Sequence, residues 1–477
     1  MSRLAKIVHL SKEGSSKEDR DTEFHSEITS YWSLQQEPSH QNIILLDRPQ
    51  SASTLFALSD PRINHPSGQE TIWLASAPSA LKKHYARLTG RSPDIRAAET
   101  PGFFLKLKDY PEVRIPQPDH VLPWLEPHLH SDDATQLMTW FEGKGSLIDR
   151  WIVLELPGDN GAPFYCLNVR GHGILPNRGA RFNLRSARRR PAIAVRHPPA
   201  RLRTSTLNLL DRSEILSRDP NGAIRELENS RVVCIGVGSL GGGVALQLAR
   251  SGVGHLTLID HDKLVAANLG RHVLGTDDLG KNKANALRNR ILRDMSTAEV
   301  SAYPTFAEVV LHKKPEVFEQ ADLVVITTAD WLSEDTFWRA KSDGSNWAFL
   351  QAWSEPHAQV GHALIAPGGS FDARHLFTEN GDFRHKFTEW PTGRGRIALP
   401  ACGESFIPGS SMGMMNIVSM VAQAALNTLT GHINESTWVS SINRPQDLSG
   451  LNGKYVGPPL SSGMRQAQLE RGWPEQT

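Results

Sequence analysis

The residues with the clearest chemical potential lie between positions 236 and 330 of this 477-residue chain. Gly236, Gly238 and Gly241 form a Gly-x-Gly-x-x-Gly loop within "VVCIGVGSLGGGVALQLARSGVGHLTLIDHDKL", between an apolar strand-like run and a helix-like one. Glycines suit such a loop because a side chain would keep a phosphate away from the backbone N–H groups. The helix that follows adds its unpaired N–H groups and positive dipole end. Asp260 ends the next strand-like run, 19 residues past Gly241, where a carboxylate accepts hydrogen bonds from ribose hydroxyls. These residues alone imply a nucleotide. They leave two chemistries open, hydride transfer with a dinucleotide such as NAD and attack on the α-phosphate of ATP.

The following stretch shifts the balance. Asn268 and Arg271 stand in "NLGRHVLG", Lys283 in "DDLGKNKANAL" and Asp330 in "ITTADW". Arg271 and Lys283 bring two cations within reach of an anion-friendly loop, and Asp330 follows the strand-like "LVVITT", at its carboxyl end. Attack at an α-phosphorus builds charge on the β- and γ-phosphates, which Arg, Lys and Mg²⁺ are suited to meet. Each residue also has a plainer role: surface ion pairs for the cations, and a helix cap for Asp330, since Asp is a favoured cap. Cys402, in "LPACGESFIPGSS", is the one cysteine in a polar loop, with Arg394 and Arg396 near enough in sequence to lower its pKa. It is a candidate nucleophile. Cys234 and Cys166 fall inside apolar strand-like runs and are expected in the core.

The elements that must position these groups change character along the chain. Before residue 205, "NIILLD", "TLFALS", "ETIWLASA" and "FFLKLKD" read as strands and "SALKKHYARLTG" as a helix. "RWIVLELPG" and "FYCLNVRG" read as paired strands around a turn. This is a smaller α/β region of unassigned role, residues 1–205, closed by an Arg-rich linker or arm. Residues 178–203 hold nine arginines and no acid, which reads first as a solvated face and second as a dock for an acidic partner protein or an RNA backbone. From 206 to 477 strands alternate with helices: "RVVCIG", "SLGGGVALQLARSG", "HLTLID", "KNKANALRNRILRDM", "LVVITT" and "AFLQAWS". That rhythm predicts a doubly wound, mainly parallel, Rossmann-like sheet with ligands at the strands' carboxyl ends.

Composition narrows the function classes. The 52 Lys plus Arg nearly balance 51 Asp plus Glu, so no nucleic-acid coat or membrane-surface role is expected from overall charge. The three cysteines make no disulfide framework and no C-x-x-C pair, so no zinc site of four thiolates is expected. "MSRLAKIVHLSKEG" lacks a signal-like apolar run, and "MGMMNIVSMVAQAALNTLTG" carries polar residues and is short of a membrane span. A reducing cytoplasm is the expected setting.

The run from Arg231 to about Leu287, with "GVGSLG", Asp260, "NLGRH", "GKNK" and "TAD", resembles the adenylation domain of the ubiquitin-activating (ThiF-type) superfamily. The likeness extends loosely over 400–430. It implies ATP held by Gly236, Gly238, Gly241, Asp260, Asn268, Arg271 and Lys283, with Mg²⁺ on Asp330. It further implies adenylation of the C-terminal carboxylate of a ubiquitin-like protein, with Cys402 as a candidate thioester site. A homodimer, a conjugating-enzyme partner and a bacterial ubiquitin-like pathway, some of which serve phage defence, follow from the same resemblance. So does an Arg upstream of the first strand, Arg212 or Arg218, reaching a partner's ATP. The chain departs from the superfamily pattern at His272, where Gln is usual, at Trp331, where Asn is usual, and in lacking zinc cysteines. The rivals are a tRNA-modifying dehydratase of the same superfamily, an NAD-dependent oxidoreductase and a non-catalytic scaffold. In the first superfamily reading, residues 367–400 form a crossover that grips a peptide tail, unless their aromatic residues pack on the sheet.

Overall fold

A computed structural model describes residues 28–35, 41–60, 70–93, 101–112, 114–143, 149–158, 163–170, 201–218, 226–392, 394–395, 397–398, 405–406, 409–443, 445–461 and 463–474. The chain divides into two compact units, Met1–Ile215 and Leu216–Thr477.

The first unit is built on seven strands: β1 (Gln41–Leu45), β2 (Ser53–Leu58), β3 (Glu70–Ala75), β4 (Gly102–Lys106), β5 (Arg150–Glu155), β6 (Phe164–Arg170) and β7 (Arg201–Leu209). They close into a barrel in the order β1-β3-β2-β4-β5-β6-β7, with β7 pairing back on β1. Alternation explains the unbroken apolar run of β5. Trp151 and Val153 point into the barrel with Ile43, Ile72, Leu74 and Cys166. Ile152 and Leu154 point outward and pack with Trp32, Val121, Leu137 and Phe141 of the surrounding helices. Both faces are therefore dry. Residue 205, where a linker was expected to end, lies inside β7. The Arg-rich segment before residue 201 is outside the described residues.

The second unit carries β8 (Arg231–Ile235), β9 (His255–Ile259), β10 (Glu299–Tyr303), β11 (Leu323–Ile326), β12 (Ala348–Ser354) and β13 (Val360–Ala366). The short strands β14 (Thr388–Glu389), β15 (Ile397–Ala398) and β16 (Ser405–Phe406) follow, then β17 (Thr437–Asn443), β18 (Lys454–Tyr455) and β19 (Gln466–Gly472). Its main sheet runs β10-β9-β8-β11-β12-β13-β17-β19. Pairings from β10 through β12 are parallel, as a Rossmann-like fold requires, and β13, β17 and β19 extend the sheet antiparallel. The chain reverses its winding between β8 and β11, which opens a crevice at their carboxyl ends.

The helix Ser239–Arg250 follows β8, and Lys283–Asp294 buries Ala286, Leu287, Ile291 and Leu292, the apolar side read from its sequence. The helix Ser411–Leu429 is capped by Ser410, whose hydroxyl accepts the Gly413 N–H. It packs closely on its neighbours: a Cβ on Gly243 would meet Val418 at 2.7 Å, and one on Gly361 would meet Ile417 at 2.4 Å. Among the described residues no helix is long and apolar enough to cross a membrane. Cys166 and Cys234 are buried, as expected of core thiols, and burial pushes Cys234 up to about 12.

Candidate functional site

The three loop glycines serve three different needs. Gly236 has φ +76°, a left-handed backbone that favours glycine, directly after β8. Gly241 lies against that turn: a Cβ there would stand 1.9 Å from the Gly236 carbonyl oxygen and 2.3 Å from Thr327 Oγ1. It lets the helix approach the strand. A Cβ on Gly238 would have nothing within 4 Å, and Gly238 is the N-cap of the helix Ser239–Arg250 without any side chain capping it. That open face with unpaired helix N–H groups is where an anion fits.

Gly236, Gly238, Asp260, Lys283 and Asp330 wall one cleft of about 190 Å³ together with His261, Asp262 and Phe306. Asp260, buried at the end of β9, spends one lone pair of each oxygen on the backbone. Oδ2 accepts the Val237 N–H at 2.9 Å and Oδ1 the Asp262 N–H at 2.8 Å, so the carboxylate braces the glycine loop. Burial moves its carboxyl above the ordinary range, against the pull of those N–H groups and of Lys283. Lys283 opens its helix nearly buried, and its Nζ donates to Asp262 Oδ2 at 2.8 Å. Asp262 was not singled out from sequence, although it sits two residues past Asp260 in "IDHDK". Phe306, exposed, stacks on His261 with ring centroids 4.0 Å apart and adds an apolar rim.

Asp330 is exposed and caps the helix Trp331–Ser342, its Oδ1 accepting the Leu332 N–H at 3.2 Å. The capping role thus holds, and the carboxylate also faces the cleft. Ala329 before it is left-handed, φ +53°, a strained turn of the kind that clusters at functional sites.

Asn268 and Arg271 do not join this wall. Asn268 closes a short 3-10 turn, its Oδ1 accepting the Val265 N–H, and Arg271 is half-buried one turn further on. Next to Arg271 stands His272. Its ring is buried under the loop: Nε2–H donates to the Val237 carbonyl at 2.8 Å and Nδ1 accepts the Leu274 N–H. Burial lowers its pKa, which favours the neutral ring those two bonds require. The histidine in place of the usual Gln still donates once and accepts once. Among the described residues Lys283 is the one Lys or Arg lining this cleft, beside the carboxylates of Asp260, Asp262, Glu308 and Asp330. Such a wall suits an anion that arrives with a divalent cation, because hard cations take carboxylate oxygens.

Of the upstream arginines, Arg212 begins a short helix in the first unit and Arg218 is exposed in a turn of the second. Cys402 and Arg396 are outside the described residues, and Arg394 is exposed.

A second, larger hollow of about 920 Å³ shares Asp330 with the cleft. Trp331, Trp353, Phe377 and Phe383 line it, then Thr388, Trp390 and Gly395. Phe377, Phe383 and Phe387 are buried against the sheet, so the segment read as a crossover packs its aromatics inward and still forms one groove wall. Two buried acids support that wall. Glu334 takes hydrogen bonds from Thr328 and Gln351, yet burial pushes its carboxyl up to about 8. Burial also works to raise Glu355. Bonds from His362, Thr388 and the Phe387 N–H outweigh it and hold the group below its ordinary range.

Residues 210–336 match the ThiF family model, and this span contains the whole glycine-loop cleft. The second unit carries a ThiF-family domain. The chain is 35% identical over 140 residues to an "ATP-dependent ubiquitin transferase-like protein Cap2" of Enterobacter hormaechei, covering 25% of this chain and 23% of that protein. Its identity to the Pseudomonas aeruginosa protein of the same description is 27% over 253 residues, 51% of this chain and 44% of the relative. The chain thus spans less than half the length of these curated relatives. A crystal structure of E. coli MccB with ATP aligns at 22% identity over 46% of this chain and 62% of that one, TM-score 0.35, a likeness that by itself carries no functional weight.

Proposed function

We propose that this protein is an ATP-dependent adenylyltransferase that activates the C-terminal carboxylate of a ubiquitin-like protein. The observation that carries the reading is the position of Asp330, at the junction of the glycine-loop cleft and the aromatic groove. One cavity has the helix N-terminus that phosphates need, and the other is wide enough for an extended peptide. A carboxylate delivered along the groove meets the α-phosphorus near Asp330. The carboxylate oxygen forms a bond to that phosphorus, the bond to the bridging oxygen breaks, and pyrophosphate leaves with the electron pair. The products are an acyl-adenylate and pyrophosphate.

The chain's own groups supply position and charge. Backbone N–H groups at Gly238 and the following turn hold phosphate oxygens, and Lys283 offers its ammonium once Asp262 shares it. Asp260 keeps the loop in shape and presents its remaining lone pairs to ribose hydroxyls. Asp330, with Asp262 nearby in the same wall, would hold Mg²⁺. That ion would neutralise charge on the leaving pyrophosphate. In a second step the Cys402 thiolate attacks the acyl carbon and AMP departs, leaving a thioester. A bacterial ubiquitin-like conjugation pathway, supported by the Cap2-like relatives, and a homodimeric enzyme complete the proposal.

ATP–pyrophosphate exchange with and without candidate carrier proteins tests the reading. Exchange that depends on an intact carrier C-terminus is expected. Protein that binds ATP but exchanges with no carrier would mean a scaffold, and protection from heating by NAD but not ATP would mean an oxidoreductase.

A further inference from the structure

The barrel of the first unit turns polar at one end. Along its inner face, the apolar layer of Ile43, Ile72, Val153 and Cys166 gives way to a rung in which Trp151 of β5 opposes Asn168 of β6, and Asn168 opposes Arg203 of β7. One rung further out, Arg170 opposes Arg201. The two-residue period of a strand places all of these on the same face as Cys166. Together with Gln41, Glu70 and Asp149 they enclose a hollow of about 390 Å³ at the barrel mouth. That is within the roughly 300–1,000 Å³ of small-molecule sites, and barrel mouths are common places for them.

The partners of these groups are unevenly assigned. Glu70 is occupied by Gln41 and Ser59, and Asp149 lies 3.7 Å from Arg170. Arg201 and Arg203, both exposed at the rim, have no ion pair among the described residues. Asn168 is 7% exposed, and no described residue bonds its amide. Trp151 is 9% exposed with an indole nitrogen that is buried and without a hydrogen-bond partner. Buried polar groups are nearly always satisfied, so the Asn168 amide left open at this cavity points to something that fills it. Two forked guanidiniums above an amide form a donor set, and planar oxyanions are its complement.

We propose that the barrel mouth is a binding site for a small organic oxyanion, a carboxylate or phosphate compound, gripped by Arg201 and Arg203 and seated on Asn168 and Trp151. The site belongs wholly to the first unit and does not depend on the adenylation reading. Calorimetric titration of the full chain with citrate, inorganic phosphate and AMP tests it. Saturable binding of at least one is expected, with citrate marking a carboxylate site and the other two a phosphate site.

Arg201→Ala/Arg203→Ala lowers that affinity by about tenfold or more, the effect of losing at least one charge-assisted contact. Asn168→Asp, of the same shape but like in charge to the ligand, does the same. Unaltered thermal melting confirms that the variants fold. No saturable binding of any of the three at millimolar concentration overturns the proposal. So does affinity kept in the folded arginine variant.

Discussion

Replacing Gly238 and Gly241 by alanine, one at a time, separates nucleotide contact from packing. At Gly241 the new methyl would stand 1.9 Å from the Gly236 carbonyl oxygen and 2.3 Å from Thr327 Oγ1, where real contacts need more than 3.0 Å. Neither neighbour can yield: the oxygen is backbone, and Thr327 Oγ1 donates to that same carbonyl at 2.6 Å. The helix must back away by roughly an ångström, and such overpacking costs about 1–3 kcal/mol. For a unit of this size that is a fall in Tm of roughly 2–12 °C. At Gly238 the methyl meets nothing within 4 Å, and φ is −72°, a value L-residues share. The expected stability loss is that of Gly→Ala at an N-cap, about 1 kcal/mol or less. The same methyl, however, stands over the helix N–H groups and displaces a phosphate. Gly238→Ala is therefore expected to melt within a few degrees of wild type while ATP affinity falls at least about tenfold. Thermal melts and ATP calorimetry on both variants read the two effects apart. Wild-type ATP affinity in Gly238→Ala would remove the nucleotide from this loop, and an unchanged Tm in Gly241→Ala would refute the close approach.

Asp330→Asn preserves a good helix cap and Asp330→Ala does not, so stability should fall by about 0.5–2 kcal/mol only in the alanine variant. Pyrophosphate exchange should be lost in both, and normal exchange in Asp330→Asn would remove the charge from the mechanism. Glu334 supplies a pH test: its folded pKa of about 8 lies above the ordinary 4.5, so the folded chain retains a proton that the unfolded chain releases. Stability is then full below pH 4.5 and declines as pH rises toward 8, by up to about 1.4 kcal/mol per unit, levelling off above. Denaturant titrations from pH 6 to pH 9 should show that slope in wild type and a shallower one in Glu334→Gln; equal slopes would contradict it. Cys402→Ala should retain exchange and lose any reducible carrier adduct, read by mass with and without thiol, and an adduct that persists would assign the thioester elsewhere.

Much of the second unit was legible because its signals are local. A strand, three glycines, a helix and a strand-ending acid follow one another within thirty residues, and each follows from short-range backbone geometry. The apolar side of Lys283–Asp294 was equally readable, since helical period alone sets which residues share a face. The roles of Asn268 and Arg271 were not. Whether their side chains reach the cleft depends on how distant segments pack, as where His272 meets Val237, 35 positions away in the chain. In the first unit six of the strands were recognisable one by one, but nothing local says that β7 returns to β1, and β7 itself lay hidden at the end of an arginine-rich run.

Sequence by itself determined the elements and the backbone chemistry of the phosphate loop, because those depend on neighbours within a turn or a strand. Only the tertiary structure decided which charges meet. It paired Lys283 with Asp262, set Asp330 between two cavities and turned Arg201 and Arg203 toward the mouth of a barrel. Electrostatic contacts depend on distance in space, and strand order and closure fix that distance between residues far apart in the chain.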